Sequence, residues 1–290
     1  MIINCTFVHI HYNTMKRILS ISFACACAFL FLSCGESSAD AAMSLLGEAK
    51  ELYSAGEFNR TKIMIDSISA AYPKAYKARR EAEILRREVL LKEKERDVEF
   101  LSKELGQLTA KRDSMVATLS FNKDGRYQDT GYYTVPSQAI KLNPYNNFLR
   151  ASVRENGEAY VTSFYRGKRI AHTTVKVSSG DSYVVCDKPF LTRSYKELGV
   201  YKERRDYKYG ADGGIMDFIA AGNAPFTVEL SGGNGRYEYT LRAEDAEAIV
   251  RILDLANLLK AIGEAQEMCD EAQRSLDFLR KSQSRSQGEK

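Results

Sequence analysis

Two proline-free stretches, Lys74 to Ser120 and Ala243 to Leu279, bracket the middle of this chain and limit what it can become. In the first, Ala78, Ala82, Leu85 and Val89, then Leu101, Leu105, Leu108, Met115 and Leu119, recur at three- and four-residue spacing, with a nearly all-charged run from Lys92 to Asp97 between them. In the second, Ala248, Ile252, Leu255, Leu259, Ile262, Cys269 and Leu276 do the same, and Glu244 and Asp245 sit where a helix dipole favours acids. Each predicts a helix of about 40 residues, hence about 60 Å at 1.5 Å per residue. A narrow apolar seam needs a partner. Equal lengths around an insert predict an antiparallel two-helix, coiled-coil-like stalk, residues 74–120 with the returning helix 242–283, before a disordered tail at 284–290.

The insert, residues 121–241, reads as β throughout. Strands are predicted at 132–135, 148–154, 158–165, 169–177, 182–186, 199–209, 215–220, 226–230 and 237–241, all rich in Tyr, Val, Thr or Phe. Asn156-Gly157, Arg166-Gly167-Lys168 and Gly232-Gly233-Asn234-Gly235 read as hairpin turns. Closely spaced antiparallel strands predict a sandwich or a partly closed barrel, a head inserted between the stalk helices. The fold class expected is α+β.

Ahead of the stalk, residues 41–73 form a predicted helical hairpin, in which Gly56 ends one helix and Pro73 the next. Gly56, Phe58, Ile65, Ile68 and Pro73 resemble the glycine, aromatic, packing and closing positions of one tetratricopeptide repeat. Thr61 stands at the usual alanine, and no second copy follows. A generic helical hairpin is the alternative reading.

The N-terminal region carries an address. Lys16 and Arg17 precede an apolar run from Ile18 to Leu32, too short to span a bilayer, and Ser33-Cys34-Gly35 follows. Phe31-Leu32-Ser33-Cys34 resembles the lipobox of bacterial lipoproteins, which implies cleavage before Cys34 and acylation of its sulfur. Residues 1–33 are therefore expected to be a signal peptide, with 1–14 an upstream misassigned start, and 34–40 a lipidated tether. In outline the chain is similar to uncharacterised envelope lipoproteins of Bacteroidetes-type bacteria, on Leu32-Ser33-Cys34-Gly35, the helical hairpin and the segment Asp212 to Ile219. That resemblance implies an envelope location and no known activity. The single Glu36 is a poor match to the acidic run used for surface display, so an outer-membrane anchor facing the periplasm is expected.

Removing such a signal strips the chemical inventory. Of six cysteines only Cys186 and Cys269 remain as thiols, expected free and buried, and of three histidines only His172 remains. That excludes a multi-histidine metal site and a disulfide framework. His172 lies in a predicted strand, where a hydrogen-bonded or exposed structural histidine is expected rather than a catalytic base. Gly210-Ala211-Asp212-Gly213-Gly214 lacks the residues of a phosphate or calcium loop and reads as a turn. The net charge falls from +4 to +2 when Lys16 and Arg17 leave, so nucleic acid is not an expected partner.

Positive charge nevertheless concentrates in the middle, where residues 119–242 hold 18 basic and 13 acidic side chains. Tyr195 to Tyr209 is its densest part. As one strand it would turn Lys202, Arg204 and Lys208 to a solvated face. These three are the expected partner-binding residues, for an anionic glycan, a lipid head group or an acidic envelope protein. The bland alternative is an edge strand guarded by charge. The expected role is a membrane-anchored, non-enzymatic binding or scaffold protein with no cofactor, attached to the bilayer through Cys34. An envelope enzyme without metal or histidine chemistry and a periplasmic adaptor of an export system are the alternatives.

Overall fold

The computed structural model describes residues 38–126, 129–138 and 147–288, with side chains to residue 284. The predicted signal peptide and Cys34 lie outside the described residues. The chain is mixed α+β, with five helices and two antiparallel sheets among the described residues. It divides into two units, residues 1–96 with 275–290 and residues 97–274.

In the first unit, α1 (Ser38–Ser54) and α2 (Phe58–Ala71) form the expected hairpin around Gly56, whose φ of +76° suits the left-handed turn that glycine tolerates best. Helix α1 starts inside the stretch read as tether. The first turns of α3 (Tyr76–Val116) complete the core: Ala42, Leu46 and Ala49 meet Ile65, Ile68, Ala78, Ala82 and Leu85, all buried. Small alanines at these positions let helices approach closely. Thr61 fits the same core because its hydroxyl bonds back to Glu57 O at 3.0 Å and so is not left unsatisfied. Lys50–Glu81 (3.0 Å) and Lys62–Glu93 (2.7 Å) tie both hairpin helices to α3, and Arg280 reaches Glu95 at 3.1 Å.

The second unit is built on two sheets. The first has six strands in the order β1 (Ser120–Asn122), β2 (Tyr132–Thr134), β3 (Phe148–Arg154), β4 (Ala159–Gly167), β8 (Val200–Lys208), β7 (Leu191–Glu197). The second runs β10 (Gly235–Leu241), β9 (Phe226–Gly232), β5 (His172–Ser179), β6 (Ser182–Cys186). Alternation places Leu149, Ala151, Val153, Val161 and Tyr207 from one sheet, with Val175, Val177, Val228 and Leu230 from the other, in a single apolar core. The last helix, α5 (Ala243–Gly288), contributes Ile249, Ile252, Leu253, Leu255 and Ala256 to that same core. Its buried face is therefore broader here than the narrow seam expected. Ser102 Oγ lies 3.5 Å from Cys269 Sγ, and Arg251 bonds Thr118 Oγ1 at 2.6 Å, so α3 and α5 also meet within this unit. Cys269 is half-buried rather than buried, and α5 extends to Gly288, into the stretch read as a disordered tail.

Three local expectations are corrected. Residues 215–220 are a helix, α4 (Ile215–Ala221), not a strand. Asp212, in the Gly-rich turn, accepts the Met216 N–H at 3.0 Å and starts that helix, and Ile215, Met216 and Ile219 then face the core. Seven residues are too few for periodicity to separate the two forms. Arg166-Gly167-Lys168 is not a hairpin turn, since β4 and β5 belong to different sheets and the chain crosses between them. Finally, Tyr195 to Tyr209 is two strands rather than one. Leu198 and Gly199, at φ +50° and +83°, make the two-residue turn between β7 and β8, a turn that Asn-Gly announces and Leu-Gly does not.

Candidate functional site

The β7–β8 hairpin decides where the second unit presents charge. Strand β8 is interior, held between β4 and β7, so the charge-guarded edge is β7, whose seven residues are all exposed. Pairing of Arg150 with Thr162, Thr162 with Asp206 and Arg193 with Arg204 puts these side chains on one outward face of the sheet. All but Arg150 line a cleft of about 440 Å³ whose walls include Arg154, Arg193, Arg204, Tyr132, Tyr160, Phe190, Thr162, Asp206 and Asp129. Its size is ordinary for a small-molecule or side-chain site.

Arginine dominates the electrostatics of the cleft. Arg204 Nε donates to Asp206 Oδ1 at 2.9 Å, and Thr162 Oγ1 donates to the same oxygen at 2.6 Å, fixing both groups on the floor. Arg154 reaches Glu158 at 3.4 Å and stands 5.2 Å over the Tyr160 ring. Arg193 is exposed and makes no ion pair with any described residue. Arg150 is 9% exposed and stacks at 5.3 Å over Phe148, with no carboxylate partner among the described residues. Burial, reinforced by the nearby Arg204 charge, pulls its guanidinium below the ordinary arginine range. Four guanidinium groups on one sheet face repel one another, and Asp206, Asp129 in the cleft wall and Glu158 beside Arg154 balance only part of that charge. A bound anion would relieve the remainder.

The three expected partner-binding residues have different settings. Arg204 lines the cleft. Lys208 lies on the same face and is held by Glu158 at 2.6 Å, a bond that raises its pKa. Lys202 pairs with Glu197 at the far end of the hairpin and lies outside the cleft lining. Arg150, Arg154 and Arg193 were missed in the sequence. Only their alternation on separate strands of a known register would have united them.

The opposite face of β4 and β8 carries a second constellation. Glu203 Oε2 lies 2.8 Å from His172 Nδ1, and His172 Nε2 lies 2.9 Å from Ser163 Oγ. A carboxylate only accepts, so Nδ1 carries the proton and Nε2 accepts from the serine. The order serine, histidine, carboxylate is that of an acyl-transfer triad. Here all three residues are 0% exposed, inside the core between the sheets, and none lines the cleft. Glu203 also accepts the N–H groups of Ile170, Ala171 and His172 at 2.8–3.0 Å, while Arg205 Nε donates to His172 O at 2.6 Å. The network works as bracing: it pins the start of β5 to β8 where Ala171 adopts φ +52°. Burial holds the His172 pKa below its ordinary value against the opposing pull of Glu203. Burial pushes Glu203 up, but the Ala171 and His172 N–H groups and the imidazole outweigh it, and the carboxyl is lowered.

No known family model matches the chain. No curated protein and no solved structure matches it either. Among the described residues no helix is long and apolar enough to cross a membrane, and no group of three or more His, Cys, Asp or Glu could hold a metal ion. The cleft's own chemistry is that of clustered guanidinium groups between aromatic walls.

Proposed function

We propose that the protein is a lipoprotein of the bacterial cell envelope, anchored through Cys34, that binds an anionic partner without catalysis through the arginine-lined cleft of its second unit. The observation that carries the binding half is the convergence of Arg150, Arg154, Arg193 and Arg204 on one sheet face with a single buried carboxylate, Asp206. Guanidinium groups take carboxylate, phosphate or sulfate oxygens in forked pairs, which lysine does not do. The anchoring half rests on Lys16, Arg17, the apolar run and Ser33-Cys34. A periplasm-facing outer-membrane position fits the one acid, Glu36, close after Cys34.

The test is retention of the purified chain on an anionic polysaccharide matrix across a salt gradient. The parent should elute later than an Arg154→Ala/Arg193→Ala/Arg204→Ala variant with the same melting temperature. Coincident elution of the two removes the cleft from the binding role.

A further inference from the structure

We propose, building on the anion-binding reading, that this cleft binds a carboxylated sugar residue of a saccharide chain: Arg193 and Arg204 take its carboxylate, Asp206 a ring hydroxyl, and Phe190 the apolar face of the ring.

The floor of the cleft separates this ligand from simpler anions. Asp206 Oδ1 already accepts from Thr162 and Arg204, whereas Oδ2 receives no hydrogen bond from any described residue. A sulfate dianion brings only acceptors and hydrogen phosphate only an O–H on the charged group itself, so either places its charge directly against that of Asp206. A sugar acid brings both kinds of group, hydroxyl donors for the free carboxylate oxygen and a planar carboxylate for the guanidinium forks. Arg204 is oriented for this: Nε is committed to Asp206, leaving its terminal nitrogens uncommitted. Arg193, on the neighbouring strand and directly opposite in register, provides a second fork that makes no ion pair with any described residue, and Asp129 lines the same cleft.

The wall supplies the apolar contact. Phe190 is 63% exposed, unusual for a phenylalanine in a structured position, yet its backbone N–H is fixed to Asp206 O at 2.7 Å and its ring lies 5.7 Å from that of Tyr160. An exposed aromatic ring held beside a hydroxyl acceptor and two guanidinium groups covers the CH face of a pyranose and shields the charged contacts from water.

The experiment is titration calorimetry on the full chain in detergent at low salt, with oligogalacturonate, its fully methyl-esterified form and inorganic phosphate as probes, for the parent, Arg193→Ala and Phe190→Ala. Arg193 and Phe190 are exposed, and thermal melts of each variant verify the fold. Oligogalacturonate is expected to bind, and methyl esterification, which keeps the hydroxyls and removes the charge, to weaken it at least tenfold. Arg193→Ala and Phe190→Ala should each weaken it at least threefold. Phosphate that binds as tightly as oligogalacturonate, with Arg193→Ala weakening it and Phe190→Ala leaving both unchanged, overturns the sugar assignment while keeping the anion cleft. Absence of binding by both charged probes, or binding indifferent to Arg193→Ala, overturns the cleft itself.

Discussion

Glu203 and His172 come from different sheets and meet at 2.8 Å inside the core, where one carboxylate accepts the imidazole N–H and three backbone N–H groups at once. Replacing Glu203 by Gln keeps the shape but removes the charge from four hydrogen bonds. Hydrogen bonds to a charged group contribute about 1.5–3 kcal/mol each, so a loss of at least about 2 kcal/mol is expected in urea denaturation. An unchanged midpoint would show that the charge contributes nothing.

The same pair sets an acid limit on stability. His172 has a folded-state pKa below its unfolded value of 6.5, so the unfolded chain takes up a proton first and stability falls as pH drops below 6.5. Glu203 is likewise lowered from 4.5, and its contribution, full above 4.5, disappears as pH falls through its folded value. The unfolding free energy should therefore be level near pH 7–8 and decline in two stages on acidification. In His172→Asn the first stage should vanish, which a series of denaturation curves between pH 4 and 8 would reveal.

Leu255 is fully buried against the sheets. Leu255→Ala should cost about 2–5 kcal/mol by leaving a cavity, and Leu255→Asp more, because it buries an unpaired charge. Leu198, 97% exposed at the β7–β8 turn, is the control: Leu198→Ala should move stability by about 0.5 kcal/mol or less. Equal effects at the two sites would contradict the packing of α5 onto the sheets.

Asp212→Ala removes the side chain that accepts the Met216 N–H at the start of α4. A loss of about 1–2 kcal/mol is expected by thermal melting, in the range of helix caps. Asp212→Asn, which keeps an acceptor, should recover most of it.

For the proposed anchor, Cys34→Ser should leave the precursor unprocessed or release it from membranes, since two or more acyl chains bind far more tightly than one. Normal maturation with retention on salt-washed membranes would end the lipoprotein reading.

Much of the architecture was legible in one dimension. Gly56 and Pro73 bounded the hairpin helices because left-handed φ and a missing N–H are properties of single residues. The strands at 148–154 and 182–186 matched residue for residue, since Phe, Tyr and Val suit a pleated surface wherever they lie. Helix α4 was misread because its capping bond comes from Asp212, outside the seven residues whose pattern was ambiguous. Leu198-Gly199 hid the break between β7 and β8, because a bulky residue at positive φ is tolerated there only with a sheet holding both flanks.

Sequence alone determined most of the elements, though not α4, β1 or β7: amphipathic spacing, turn residues and the small stock of thiols and imidazoles are local facts. What shares a site was decided by tertiary structure. Arg150 is far along the chain from Arg193 and Arg204, and Ser163, His172 and Glu203 lie on three strands in two sheets. Strand order and register bring each set together, and these depend on which hydrophobic faces can be buried at the same time. One strand, β8, consequently turns Arg204 toward the solvent-facing cleft and Glu203 into the core. Side chains on a strand alternate by one residue, and only the packed sheets determine which side is water.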